Sequence, residues 1–148
     1  MAITQAVCTS FLQELLQGIH DFDVDVFNLA LFRAQASIVG TFGANTTNYS
    51  DMGADEASGT NYSAGGDALT VNGPSSSGLV AYVDFDDLTF TNVSLTTSGA
   101  LIYNTSKANR AVMVLNFGGD KTKSAQDLDI VFPTADAQTA LLRLFGTS

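Results

Sequence analysis

The sequence predicts a mainly β fold, an antiparallel β-sandwich or barrel-like domain with one N-terminal α-helix. Three observations carry this. Short apolar runs recur roughly every ten residues through the second half, with turn residues between them. Two of these runs, Ala100–Tyr103 and Ala111–Phe117, flank a polar turn containing Asn104, Ser106 and Asn109. Neither alternates cleanly, the pattern of a hairpin buried on both faces. Finally, 45% of the chain is apolar but only 14% is charged, against roughly a quarter in typical domains. Ser, Thr, Asn and Gly must therefore cover the surface, which suits strands and turns.

At 148 residues, with no internal repeat or dividing linker, the chain reads as a single domain over 1–148. Its expected parts are an N-terminal helix (1–22), a strand (23–33), a long polar loop region (34–78) and a regular β core (79–148).

The helix is expected from Thr4 to Ile19. Val7, Phe11, Leu15 and Ile19 recur every four residues, and Leu12 and Leu16 widen the stripe. Thr4 is a candidate N-cap, or Ser10 with Gln13 a capping box, and Gly18 and His20 are stop signals. In the following strand Phe27, Leu29 and Leu31 point one way and Asn28 and Ala30 the other. Asp21, Asp23 and Asp25 resemble the start of a calcium loop, but the glycine and the distal glutamate of that loop are missing. A solvated strand face is the expected reading, with no metal bound.

From Ala34 to Gly78 the chain is dominated by Gly, Ser, Thr, Asn and Asp, with Phe42, Tyr49 and Tyr62 as isolated aromatics that would pin the loop to the body. Short edge strands are expected near Asp67–Val71, and turns at Gly65-Gly66 and Gly73-Pro74. Beyond it, Leu79–Phe85 alternates, Asp86-Asp87 marks a turn and Leu88–Thr91 begins the next strand. The apolar parity then shifts from Leu88 and Phe90 to Val93 and Leu95, which predicts a β-bulge near Asn92. After the hairpin come a loop from Gly118 to Gln126, a strand at Leu128–Phe132, one helical turn in Ala135–Ala140 and a last strand at Leu141–Phe145.

Chemical motifs are sparse. His20 has no partnered nucleophile in sequence, and Cys8, the lone cysteine, allows no intrachain disulfide and no Cys-based zinc site. It reads as a buried structural thiol. Asp84, Asp86 and Asp87 are spaced as glycosidase acids might be at a strand end, yet turn aspartates more often satisfy backbone. The run Gly118-Gly119-Asp120-Lys121-Thr122 lacks the order of a phosphate loop. Asn-x-Ser/Thr triplets at Asn45, Asn48, Asn61, Asn92 and Asn104 follow from composition. The expectation is a protein that is not an enzyme and has no cofactor. A net charge of −9 with six scattered Lys and Arg argues against nucleic acid and against an anionic membrane as partners. No leader-like or membrane-spanning stretch is visible, so the chain is expected to be made in a cytosol and not exported.

Several segments together carry a family resemblance. They are Met1–Phe11, Phe27–Phe32, Ala57–Thr70, Gly99–Val112, Phe117–Thr122 and Val131–Pro133. The chain resembles small virion structural proteins of tailed bacteriophages, a family covering capsid decoration and tail-fibre-like proteins. The resemblance implies a subunit of the virion, made in the host bacterial cytoplasm, with the major capsid protein, other virion proteins and further copies of itself as partners. A capsid cement or decoration protein that bridges capsid subunits is the first expectation. An accessory tail or tail-fibre protein is the alternative, although the chain has no shaft-forming repeat. A small carbohydrate-binding or hydrolase domain built on Asp84 and Asp86 is a remote third. The family has no catalytic residues to carry over. Candidate partner contacts are Val7, Phe11 and Leu15 on the helix stripe and Phe42, Tyr49 and Tyr62 in the loop.

Overall fold

The computed structural model describes residues 2–146 and is mainly β, with one α-helix near the N-terminus. Its spine is a long hairpin made by β8 (Leu88–Asn104) and β9 (Arg110–Ile130), paired from Leu88↔Ile130 to Asn104↔Arg110. The inner half of this hairpin is Val-, Leu- and Ala-rich and buried on both faces, as its lack of alternation predicts. Strand β3 (Phe27–Phe32) pairs antiparallel with β8, and Phe27, Leu29, Ala30, Leu31 and Phe32 are all fully buried. Two short strands, β2 (Ala6–Val7) and β5 (Asp67–Ala68), complete a five-stranded sheet ordered β2-β9-β8-β3-β5.

A smaller antiparallel sheet is ordered β10-β7-β6, from β6 (Val71–Ser77), β7 (Val80–Phe85) and β10 (Leu142–Phe145). Phe85 of β7 joins it to the main sheet in one core. Its ring lies 5.8 Å from that of Phe27, 6.3 Å from Phe22 and 5.7 Å from Phe132. The remaining pair, β1 (Ala2–Ile3) with β4 (Thr41–Phe42), is parallel, a departure from the all-antiparallel expectation.

The helix α1 spans only Thr9–Leu16. The expected start at Thr4 is wrong because Ala6 and Val7 hydrogen-bond β9 opposite Val114 and Met113. Val7 matches the helical stripe by coincidence of spacing. Cys8 is the extended N-cap and makes no side-chain cap, and the Ser10 hydroxyl has no partner, so neither expected cap forms. The stop at Gly18 is correct. Gly18 takes φ 72°, its N–H donates to Leu15 O and that of Ile19 to Glu14 O, the paired bonds of a Schellman ending.

Two further expectations fail. Residues 118–126 are strand rather than loop, part of β9. Likewise Asp25 does not lie on a solvated strand face: its N–H bonds Asp21 O in a turn and its side chain is buried. The bulge near Asn92 is present, with a register shift between Phe90 and Val93 and Asn92 at φ 53°, a left-handed conformation that Asn tolerates best after Gly. A larger irregularity sets Phe117–Asp120 opposite Ser98, because Thr97 pairs Lys121 while Gly99 pairs Asn116. Gly73-Pro74 lies inside β6 rather than at a turn.

The polar region 34–78 is held by two adjacent carboxylates. Asp55, 2% exposed, accepts from the N–H groups of Val39 (3.0 Å) and Gly40 (2.7 Å) and from the Arg33 guanidinium (2.7 Å). Glu56 accepts from the Tyr49 hydroxyl (2.6 Å), the Tyr62 hydroxyl (2.8 Å) and Gly65 N–H (2.6 Å). Between them the backbone of 55–57 borders β3, with Arg33 N–H on Asp55 O and Ala57 N–H on Leu31 O. Burial alone would raise the Asp55 carboxyl, but the Val39, Gly40 and Arg33 bonds outweigh it and hold it below its ordinary 3.8. Gly66 then brings the loop against β3 so closely that a Cβ would sit 1.8 Å from Leu29 O, at φ +73°.

Two outcomes follow. In urea unfolding, Gly78→Ala, where φ is +60° but space is open, should cost ~1–2 kcal/mol, and Gly66→Ala clearly more. Asp55→Ala takes the acceptor from the Val39 and Gly40 N–H groups and from the partly exposed Arg33 guanidinium and should cost ~1–3 kcal/mol at pH 7. Because the folded Asp55 binds its proton more weakly than the unfolded chain does, its contribution is present above 3.8 and fades as pH falls through the depressed value. The gap between wild type and Asp55→Ala should therefore narrow on going from pH 7 to strongly acidic pH.

Candidate functional site

Between α1 and the small sheet lies an apolar groove of about 560 Å³. Phe11, Leu12 and Leu15 of α1 form one wall with Val7 of β2, and Ala81, Val83, Leu142, Leu144 and Phe145 of β7 and β10 form the other. The helix presents its stripe here because Phe11, 0% exposed, anchors it over the core with its ring 4.8 Å from His20 and 6.1 Å from Phe22. That leaves the flanking positions outside. Leu12 is 44% exposed, Leu16 91%, Leu144 57% and Phe145 67%. Leaving large side chains in water forgoes the ~1.5–3 kcal/mol that each gains on full burial, and the exposure of Leu12, Leu144 and Phe145 around one groove marks an interaction surface.

Of the expected contacts, Val7, Phe11 and Leu15 line this groove. Val7 and Leu15 are partly exposed, whereas Phe11, at the base of that wall, is buried and offers no free surface. The loop aromatics are not in it. Phe42 is 3% exposed against Phe32, Tyr49 stacks on Tyr103 at 4.6 Å, and Tyr62 takes Leu31 N–H on the hydroxyl that binds Glu56. They pin the loop, the structural half of the sequence expectation. Leu144 and Phe145 are the groove residues that the sequence reading did not single out. Their signal was a last strand, Leu141-Leu142-Arg143-Leu144-Phe145, too apolar on both faces for an edge.

Beneath the groove lies a polar network. Asn104, 0% exposed, accepts Ser106 N–H on Oδ1 (3.0 Å), which fixes its amide. Its Nδ2 then donates to His20 Nδ1 (2.9 Å) and Asp25 Oδ2 (2.8 Å). His20 Nδ1 is thus an acceptor, and the Nε2–H donates to Glu14 Oε1 (3.0 Å). Glu14 also holds Arg110, and Asp25 holds Lys107 at 3.5 Å. Burial raises the Asp25 carboxyl, but Asn104, the Asp21 N–H and Lys107 together hold it below its ordinary value. The network joins α1, the turn before β3 and the β8–β9 turn.

These arrangements leave little free chemistry. Both His20 nitrogens are engaged and its side chain is closed to solvent. The Cys8 thiol is pushed up to about 12 by burial, with Asp51 and Glu14 adding to it, and contacts Gly43 O. It is a packed thiol rather than a nucleophile. Asp84 is raised by burial and by Asp87 and Asp136, against bonds from Phe85 and Leu141 N–H. Asp87 takes Phe132 N–H and Asp86 takes Asn72. The three aspartates hold backbone and one amide, each in a separate contact. Among the described residues no group of His, Cys, Asp and Glu is placed to hold a metal ion. No known family, curated protein or solved structure matches this chain.

The two ends of the network differ in burial, which orders their expected costs. Asn104→Leu leaves Asp25 and His20 short of a partner in the interior and should cost ~3 kcal/mol. Lys107→Ala removes a cation whose side chain is 36% exposed, and should cost under ~1 kcal/mol. Thermal or urea unfolding of the two variants measures both.

Proposed function

We propose that this chain is a structural subunit of a tailed-bacteriophage particle, a capsid cement protein whose α1–β10 groove seats an apolar ridge of a capsid subunit. The observation that carries this reading is the groove with its exposed rim of Leu12, Leu144 and Phe145. An apolar cleft bordered by large exposed side chains supplies the kind of anchor pocket on which stable protein contacts depend. The engaged state of His20, Cys8 and Asp84 supports binding rather than turnover as the use of this surface. The sequence resemblance supplies the class of partner. By holding capsid neighbours together, such a subunit would add its binding free energy to the closed shell.

Imaging of particles tests this directly. The chain is expected on the shell in the repeat of the capsid lattice, and particles stripped of it should release DNA at lower temperature. A low copy number set by the tail's rotational symmetry would favour the accessory tail reading instead. Leu12→Asp with Leu144→Asp should leave the fold intact by circular dichroism and weaken binding to empty shells by ~100-fold or more. Unchanged binding would overturn the role of the groove.

A further inference from the structure

The chain has six Lys and Arg, and their engagement is uneven. Arg33 is paired with Asp55, Lys107 with Asp25 and Arg110 with Glu14. Arg143 donates to Gln138 O and lies over the Phe145 ring. Of the six, all among the described residues, Lys121 and Lys123 alone have side chains with no hydrogen bond and no ion pair. Both sit on the outer half of β9, opposite Thr97 and Leu95, with a spacing of two that puts them on one face.

That half of β9 is also an open edge. β2 covers β9 at Val114 and Met113, so among the described residues the only strand paired with it from Phe117 onward is β8. Beside the lysines is a second groove of about 500 Å³, floored by Leu115, Phe117, Leu128, Ile130 and Phe132. Unpaired backbone, an apolar trough and two free cations coincide there. An unprotected edge of this kind accepts a further strand.

The carboxylates show the complementary pattern. Of fifteen Asp and Glu, nearly all hold a backbone N–H, a hydroxyl, an amide or a cation. Among the described residues Asp23 and Asp67 have side chains with no such bond. Asp67 stands on β5, the strand at the opposite end of the same sheet, and is exposed. The chain runs from it into β6, the outer strand of the small sheet, whose residues from Asn72 to Ser77 are all exposed.

We propose that copies of this chain associate head to tail, the outer edge of β9 in one copy receiving the β5 edge of the next, with Lys121 and Lys123 against Asp67. A two-fold pairing of β9 with β9 would set lysines against lysines, so the interface is heterologous. The inference goes beyond the structural-subunit reading: it concerns a different face and holds whatever the α1–β10 groove binds.

Sedimentation velocity of the full chain over a concentration series tests it, with circular dichroism confirming that each variant is folded. Wild type should self-associate. Lys121→Glu with Lys123→Glu should weaken association by roughly tenfold or more, and so should Asp67→Lys. An equal mixture of these two folded variants should recover association, because each supplies the charge the other lost. A wild type that stays monomeric to ~1 mM, association unmoved by the reversals, or a mixture that does not recover would each overturn the proposal. So would binding of the lysine edge to an acidic capsid surface with none between copies. Shell binding measured on the Lys121→Glu/Lys123→Glu variant separates the two readings, since loss of self-association with retained shell binding touches only this one.

Discussion

Two neighbouring carboxylates, Asp55 and Glu56, set the condition under which the rest of this fold is possible. A stretch of more than forty residues that buries only Ile38, Phe42, Met52, Ala57 and Leu69 as apolar core among its described residues offsets little of its ordering entropy by apolar burial, so something else must tie it down. Asp55 gathers the backbone of Val39 and Gly40 with Arg33 on one side, and Glu56 gathers Tyr49, Tyr62 and Gly65 on the other. Their own backbone borders β3. The loop region therefore behaves as a cover for the exposed side of β3, and the fully buried strand it protects has no open flank along most of its length. Hydrogen bonds to ionised groups, stronger than neutral ones, add here to the few core contacts that Ile38, Phe42, Met52, Ala57 and Leu69 supply.

The parts of the fold legible in sequence were those where burial and local pattern agree. The inner hairpin, β3, β7 and the bulge at Asn92 all announce themselves through apolar runs or a parity shift. Three features did not. Val7 fell on the helical period by chance, and only its pairing with β9 shows that the chain is still extended there. Residues 118–126 are polar, glycine-rich and strand nonetheless, because their face is solvated and β8 is the strand that pairs with them. Asp25 looked like a surface residue because its partners, Asn104 and Lys107, lie some eighty residues away in the chain. Long-range polar pairing leaves no periodic trace.

The candidate site was half legible for a related reason. A stripe on α1 wider than one short helix needs was visible, and Leu12 and Leu16 turned out to be the excess. The opposite wall is made by β10, which reaches α1 only through the folding of the small sheet. The network of His20, Asn104, Asp25 and Glu14 closes the space beneath both walls, so the one imidazole in the chain serves as a joint between three elements.

The irregularity that sets Phe117–Asp120 against Ser98 has a consequence for how the molecule can vary. A one-residue slip in a uniform ladder turns every side chain to the wrong face along its whole length. Here four residues, two of them glycines at positive φ, lie between the inner ladder that makes the core and the outer ladder that carries Lys121 and Lys123. A slip, insertion or deletion in the outer ladder is absorbed at this joint and does not reach Leu101, Ile102 or Val114. The two halves of one hairpin are in effect separately editable, the inner fixing the core and the outer free to change the face it presents to solvent.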